Sequence, residues 1–249
     1  MSKYCRGKLP ARHDPRTPRM SAYFTPELAP PPLAVDWTGG TSIVYPMDGN
    51  DRLYDCTAAA KAHLVQVWTL DESGNAFVPA VSDVIAFYSG STGYNPADPS
   101  TDQGGDMLTV AKYFQSTGIA GHIIKAYASV DFRDLIKVKQ GVNLFGGVDI
   151  GIGVTDLAEQ QFDAGLPWTL DPTDTQNPEG HDVPILGYTA DGYFIAATWG
   201  GLIKIDPIFF AARVDEAFVY VSPDWAPTCK TAPCGVAIGD LISDSRDLA

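Results

Sequence analysis

The stretch that decides the fold reads Asn50-Asp51-Arg52-Leu53-Tyr54-Asp55-Cys56-Thr57-Ala58-Ala59-Ala60. It ends a polar loop and begins an alanine-rich, largely apolar run, which predicts a helix over 58–70 with Cys56 at its start. Unbonded amides and the positive end of the helix dipole favour a thiolate at that position. Cys56 is therefore a candidate nucleophile, and the alternative is a cysteine that only packs in the core.

A histidine far along the chain is the candidate partner of this cysteine. Gly180-His181-Asp182-Val183 opens a strand-like run, and a later run ends at Ala197-Thr198-Trp199-Gly200-Gly201. A cysteine paired with a distant histidine is the arrangement of thiol hydrolases. His63 lies inside the predicted helix, where we interpret it as a packing or surface residue. Trp199 fits a packed turn as well as a cover over a catalytic hydrogen bond.

Composition divides the 249 residues into an arm, a body and a tail. Residues 1–35 hold seven of the 19 prolines and six basic against two acidic groups, which predicts a basic, Pro-rich extended arm. We expect this arm to lie on a partner protein or on the body of the chain itself. Residues 36–222 have the pattern of a folded domain, and 223–249 form a weakly patterned tail.

The body changes character at about residue 121. Helical patterns precede that point, and short β-branched or aromatic runs follow it. The pattern predicts helices over 58–70, 82–88, 106–115, 131–139 and 155–162. It predicts strands over 122–130, 142–150, 183–188, 193–198, 202–205 and 217–221. The fold class that this order indicates is α+β.

Net charge and hydropathy argue against two classes of partner. The net charge is −13, and the chain beyond the arm carries 11 basic against 28 acidic groups, so nucleic acid is not an expected partner. No run approaches the roughly 20 apolar residues of a membrane span, and the N-terminus lacks the apolar run of a signal peptide. We therefore expect synthesis in the cytoplasm and no membrane insertion.

The remaining cysteines and acidic residues give weak signals. Cys5, Cys56, Cys229 and Cys234 are too scattered for a disulfide framework, although Cys229 and Cys234 could pair locally or join a metal site. Asp98, Asp102 and Asp106 lack the spacing and closing glutamate of a calcium loop. We expect no metal and no cofactor.

Taken in order, five segments of the chain resemble the papain-like cysteine peptidases. Asn50 stands six residues before Cys56, where that family has the glutamine of its oxyanion hole, and Cys56 and His181 are 125 residues apart. The other matching segments are Asp36-Trp37, Asp102-Gln103-Gly104-Gly105, Gly180-His181-Asp182-Val183-Pro184-Ile185-Leu186-Gly187-Tyr188 and Ile195-Ala196-Ala197-Thr198-Trp199-Gly200.

This resemblance implies a fold and a site. The expected fold is papain-like α+β, with a helical N-terminal lobe and an antiparallel β-sheet or barrel as the C-terminal lobe. Cys56 would be the nucleophile, His181 the base, and Asn50 an oxyanion-hole donor. Gly104, Gly105, Asp182 and Trp199 would line the substrate cleft.

Two departures from the family pattern bear on activity. Ala197 stands where the family has an asparagine, and its side chain cannot hydrogen-bond the imidazole, so we expect a dyad in place of a triad. Asp55 adds negative charge beside the thiol and should raise its pKa.

The sequence thus leaves two functions open. The first is a hydrolase of peptide or isopeptide bonds that works through a thioester acyl-enzyme, with acyl transfer to an amine indistinguishable from it. The alternative is a catalytically weak or inactive papain-fold component of a larger assembly, docked through residues 1–35. Arg6-Gly7-Lys8-Leu9-Pro10-Ala11-Arg12 resembles the start of bacteriophage proteins with this domain, which implies incorporation into a virion.

Overall fold

A single antiparallel sheet and seven α-helices are present in the computed structural model, which describes residues 3–26, 28–225 and 236–246. The helices are α1 (Cys56–Ser73), α2 (Val81–Thr92), α3 (Met107–Ser116), α4 (Leu135–Phe145), α5 (Asp156–Asp163), α6 (Pro207–Arg213) and α7 (Ile238–Arg246). The strands are β1 (Val35–Asp36), β2 (Ala126–Ser129), β3 (Val148–Val154), β4 (Glu179–Tyr188), β5 (Phe194–Thr198), β6 (Gly201–Ile205) and β7 (Val214–Val221).

Helix α1 is the central element, and 14 of its 18 residues are buried. Small alanines along its first turns let it lie close against β4. Asp55 is its N-cap residue and makes no side-chain capping bond, but its carbonyl oxygen accepts the amides of Ala58 (2.8 Å) and Ala59 (3.0 Å). The helix ends at Gly74, whose left-handed backbone (φ 73°) allows its amide to bond Leu70 O.

The sheet has the strand order β2-β7-β3-β4-β5-β6, and β1 pairs with β4 off this path. All of these pairs are antiparallel, and Ile152 of β3 lies opposite His181 of β4. His181 thus lies near the start of β4, where β3 pairs with it on one side, while β5 pairs with β4 only from Ile185 onward.

Two hydrophobic cores divide the chain as the sequence predicts. One is built mainly from α1 to α3 and includes Leu64, Trp68 and Phe114, whereas the other covers the sheet and includes Ile150, Trp168 and Phe194. The α+β expectation, with a helical first lobe and a sheet-rich second lobe, is confirmed. None of the described helices has the length and apolarity that crossing a lipid bilayer requires.

The predicted strand over 142–150 is wrong in its first half. Residues 142–145 complete α4, and the strand begins only at Val148. Gly146 ends the helix in a left-handed conformation (φ 71°), and the apolar run on either side reads equally well as helix or strand. The strand predicted over 122–130 is likewise shorter, since Gly118 and Gly121 form a turn before β2.

The N-terminal arm lies on the body of its own chain. The amide of Lys8 donates to Gly180 O (3.0 Å), and the amide of Ser129 donates to Pro18 O (2.8 Å). Met20 is buried in the sheet-side core. Of the tail, α7 packs on β2, whereas Cys229 and Cys234 lie outside the described residues.

Candidate active site

Cys56 is the first residue of α1, as the sequence predicts, and it is only 1% exposed. Together with Asn50, His63, His181 and Trp199 it lines a small cavity of about 10 Å³. A cavity of this size holds about one water molecule, so Cys56 and His181 border the same small space, which has no room for a substrate group.

His181 is oriented by Thr198, the residue that follows Ala197. Its Nε2 bonds Thr198 Oγ1 at 2.7 Å, and its Nδ1 has no hydrogen-bond partner. Consecutive side chains alternate across a strand, so Ala197 packs into the helix-side core while Thr198 faces the imidazole. The expectation that His181 lacks a side-chain partner is therefore wrong, because Thr198 supplies one.

Trp199 stacks on the imidazole, with ring centroids 4.8 Å apart and an interplanar angle of 26°. Its backbone is left-handed (φ 46°), a conformation that is strained for a residue with a side chain. The surrounding turn therefore holds this indole against His181 at a cost in backbone strain. This position places the indole against the imidazole that bonds Thr198.

Burial sets the protonation of the thiol and the imidazole. It raises the pKa of Cys56 to about 12, with further contributions from the charges of Asp182 and, to a smaller extent, Asp55. The nearby backbone amides of Gly7 and Asp182 act in the opposite direction and lower the thiol pKa in part. Burial, with the nearby charge of Arg6, lowers the pKa of His181 to about 3. In this state the pair is a neutral thiol beside a neutral imidazole.

Asn50 lies in the cavity wall, but its amide is engaged. Its Nδ2 donates to Cys5 O (3.1 Å) and to Leu53 O (3.2 Å). The Cys5 amide in turn donates to Asn50 O at 3.0 Å. The side chain expected to stabilise an oxyanion is thus bonded to the N-terminal arm.

Asp182, expected in the substrate cleft, borders the same cavity as Cys56, and its carboxyl is fully buried. It bonds the Nζ of Lys61 at 2.7 Å, and Lys61 also pairs with Asp149, all three side chains being fully buried. Burial raises the pKa of Asp182 well above its usual range. Burial alone would lower the pKa of Lys61, but the two carboxyls outweigh it and raise that pKa. Sequence analysis missed this buried cluster because a lysine on an alanine-rich helix has the pattern of a surface residue.

Residues 4–9 of the arm, here called the cleft segment, fill the groove between the two lobes. The amide of Gly105 donates to Gly7 O (2.9 Å), and the amide of Leu9 donates to Gly105 O (3.0 Å). Tyr4 stacks on Trp199, with ring centroids 4.6 Å apart. Gly104 must be glycine here, since it is left-handed (φ 77°) and a Cβ would lie 1.9 Å from Gly7 O. Gly104, Gly105 and Trp199 therefore line a groove, and the chain itself occupies it.

The three aspartates considered for calcium are engaged separately. Asp98 and Asp106 cap the starts of helical turns, and Asp102 accepts hydrogen bonds from the Tyr54 amide and the Tyr88 hydroxyl. Within the described ranges, no group of three or more His, Cys, Asp or Glu side chains is arranged to hold a metal ion. His122 bonds Asp224 at 2.7 Å through its Nδ1.

A helical lobe and a sheet lobe, with a helix-start cysteine and a strand histidine at their junction, define the papain-like fold. No protein-family model and no curated protein matches the sequence. Among solved structures, the chain is similar to xylellain, a cysteine protease from Xylella fastidiosa, with a TM-score of 0.67 and 18% identity over 88% of this chain and 97% of that one.

Two further structures are similar over most of the chain. Digestive procathepsin L 3 of Tenebrio molitor larval midgut has a TM-score of 0.63 and 16% identity, covering 87% of this chain and 76% of that one. The bromelain protease of Ananas comosus has a TM-score of 0.56 and 15% identity, covering 76% and 99%. At these identities the likeness establishes the papain-like fold.

Proposed function

We propose that the chain is a papain-like cysteine hydrolase of peptide or isopeptide bonds, held in a closed form by its own N-terminal arm. One observation carries this proposal. The Nε2 of His181 is fixed by Thr198, which leaves Nδ1 without a partner on the cavity that Cys56 also borders. An imidazole held in this way can accept the proton of a thiol.

The reaction would begin when the Cys56 thiol gives its proton to His181 Nδ1 and the thiolate attacks the substrate carbonyl carbon. The oxyanion would be held by the Cys56 amide and by Asn50 once Cys5 O no longer occupies that amide. Imidazolium then protonates the leaving amine, and a thioester remains. Water, deprotonated by the same imidazole, releases the acid and restores the thiol.

The closed form cannot carry out this reaction. Its thiol pKa is raised to about 12 by burial, and the cleft segment occupies the groove that a substrate would need. Withdrawal of the segment would admit water to the thiol and the imidazole and bring their pKa values together, because burial is the main cause of both shifts. Activity would therefore depend on displacement of the arm.

A trapped covalent intermediate would test the proposal. Mixed with an activated peptide ester, a full-length variant with a loosened cleft segment should gain the mass of the acyl group on Cys56, seen by intact and peptide mass spectrometry. The matched Cys56→Ala protein should gain nothing. An acyl group found on Cys5 or on lysines alone would count against Cys56 as the nucleophile.

The burial of the thiol also supports the second candidate, a non-catalytic papain-fold component of an assembly such as a bacteriophage virion. In that function the arm would dock a partner protein, and Arg12 and Arg16 remain exposed for such a contact. Under this alternative, Cys56 stays unacylated even when the groove is opened, and particles assembled without residues 1–35 lack the protein.

A further inference from the structure

We propose that two acidic pockets beside Cys56, filled here by Arg6 and Lys8, are recognition sites for basic side chains of a peptide substrate. This inference rests on the proposed function and adds the substrate class. The open cleft would then bind peptides that carry Lys or Arg at two positions separated by one small residue.

The first pocket surrounds Arg6, whose side chain is 1% exposed. Its guanidinium donates to Asp156 (2.8 Å) and Glu179 (3.2 Å), and it also pairs with Glu159. A neutral side chain could not replace the charged contacts that these three carboxylates make with one cation. The planar donor arrangement of Arg matches this geometry.

The second pocket surrounds Lys8, also 1% exposed, whose Nζ pairs with Asp215 (2.8 Å) and Glu216 (2.9 Å). Its aliphatic stem passes over Gly151, where a Cβ would lie 2.0 Å from Lys8 Cε. A glycine in the middle of β3 thus leaves a channel for a long straight side chain. Lysine fits this channel because its charge sits at the end of an unbranched chain.

The reacting sulfur lies between these two pockets. Gly7, the residue between Arg6 and Lys8, accepts a hydrogen bond from the Gly105 amide (2.9 Å), and a Cβ on Gly105 would lie 3.0 Å from the hydroxyl of Thr57, the residue after Cys56. Gly7 also lies against the Tyr54 backbone, where a Cβ would stand 2.0 Å from Tyr54 O. In an extended chain, side chains two residues apart share one face, so any peptide crossing the thiol presents the same pair of positions. This holds for either direction of the peptide.

Charge argues that the emptied pockets need cations. Glu159 and Glu216 have side chains only 9% exposed, and the cleft segment supplies positive charge to both. Carboxylates this buried are costly without a positive partner, so an opened cleft should bind a basic peptide in preference to a neutral one.

The test uses the full-length Arg6→Ala/Lys8→Ala protein and measures the rate at which iodoacetamide alkylates Cys56. Loss of both side chains should release the segment and speed alkylation about tenfold over the wild-type protein, the effect of roughly 1.4 kcal/mol. The matched control is Arg16→Ala, which removes an exposed basic side chain whose ion pair is with Asp14 of the arm itself.

The probe is a synthetic peptide with the sequence of residues 4–9 and serine in place of cysteine. It should slow alkylation of the double variant, and a peptide with glutamine at both basic positions should need about tenfold more to do the same. Adding Glu159→Gln or Glu216→Gln should weaken protection by the basic peptide and leave the neutral one unchanged. Equal protection by the two peptides would overturn the proposal.

Protection reads binding and not turnover, so this test is independent of the proposed function. Protection without acylation of Cys56 would leave the pockets assigned and remove the hydrolase. Acylation of Cys56 together with equal protection by the two peptides would support the hydrolase and remove the pocket assignment. If the double variant melts far below wild type, Glu159→Gln and Glu216→Gln alone, which keep the segment intact, should each speed alkylation of Cys56. Failure to open the groove in any of these proteins also overturns the proposal.

Discussion

Two sets of ion pairs lie on either side of the candidate dyad, and they differ in what can be removed. Behind it, Lys61 is bonded to Asp149 and Asp182 with all three side chains fully buried. In front, Arg6 and Lys8 are just as buried, yet Asp156, Glu179 and Asp215 remain about half exposed. The first set belongs to the core, and the second belongs to a removable cover. Ion pairs therefore stabilise the fold in one place and control access to the candidate dyad in the other.

Breaking the buried Lys61–Asp149–Asp182 cluster should have the largest effect on stability. Lys61→Met leaves two buried carboxyls without their cation, and we expect a loss of about 3–5 kcal/mol in the free energy of unfolding. Urea denaturation measures it. Lys112→Met, which removes a partly exposed lysine 3.9 Å from Asp14, should change stability by about 0.5 kcal/mol or less. A loss below about 1 kcal/mol for Lys61→Met would mean that the cluster is not part of what holds the fold.

Releasing Arg6 and Lys8 from their pockets should change the reactivity of Cys56 more than the stability of the fold. In the wild-type protein, Cys5 should be alkylated before Cys56, because Cys5 is partly exposed and its pKa is raised to only about 11. Alkylation of Cys56 should rise about tenfold per pH unit from pH 7 to 9.5 without a plateau, since the thiolate fraction grows tenfold per unit below a pKa of about 12. Arg6→Ala/Lys8→Ala should bring the plateau to lower pH. A wild-type plateau below pH 9 would show that the thiol is not held in its neutral form.

The hydrogen bond that orients His181 lies between the two sets of ion pairs, and its effect can be measured separately. Thr198→Val removes the hydrogen bond to Nε2, and we expect turnover of an opened enzyme to fall about tenfold, the value of one such bond. Thr198→Ser should retain activity, which separates orientation of the ring from packing. Ala197→Asn should not help, because that position faces the helix-side core. Equal activity of the valine and serine variants would mean that Thr198 does not orient the imidazole.

Ionic strength should have the smallest effect, and it should weaken only the ion pairs of Arg6 and Lys8. Because several partners of Arg6 and Lys8 are half exposed, about 1 M salt should screen them and speed alkylation of Cys56 about two- to threefold. The Lys61 cluster is out of reach of solvent, so the m-value and cooperativity of unfolding should not change. A rate unaffected by salt would indicate that backbone hydrogen bonds alone hold the cleft segment.

Local signals were enough to predict the two-lobe fold and the positions of Cys56 and His181. An alanine-rich run after a polar loop predicts α1, and short aromatic or β-branched runs predict β4 to β7. Three features lay beyond the sequence. Thr198 and Ala197 are adjacent, and only the strand's alternation decides which one faces His181. Lys61 meets Asp182 only in three dimensions. The arm's composition indicates an extended chain but not the groove in which it lies.

The central claim is that a competent cysteine–histidine pair lies under a removable segment of the same chain. The most direct measurement is the rate of hydrolysis of a fluorogenic basic peptide by full-length Arg6→Ala/Lys8→Ala, beside wild type and the same variant with Cys56→Ala. We predict hydrolysis by the opened protein, at least about tenfold slower hydrolysis by wild type, and none without the thiol. Rapid alkylation of Cys56 in the opened protein with no hydrolysis would contradict it.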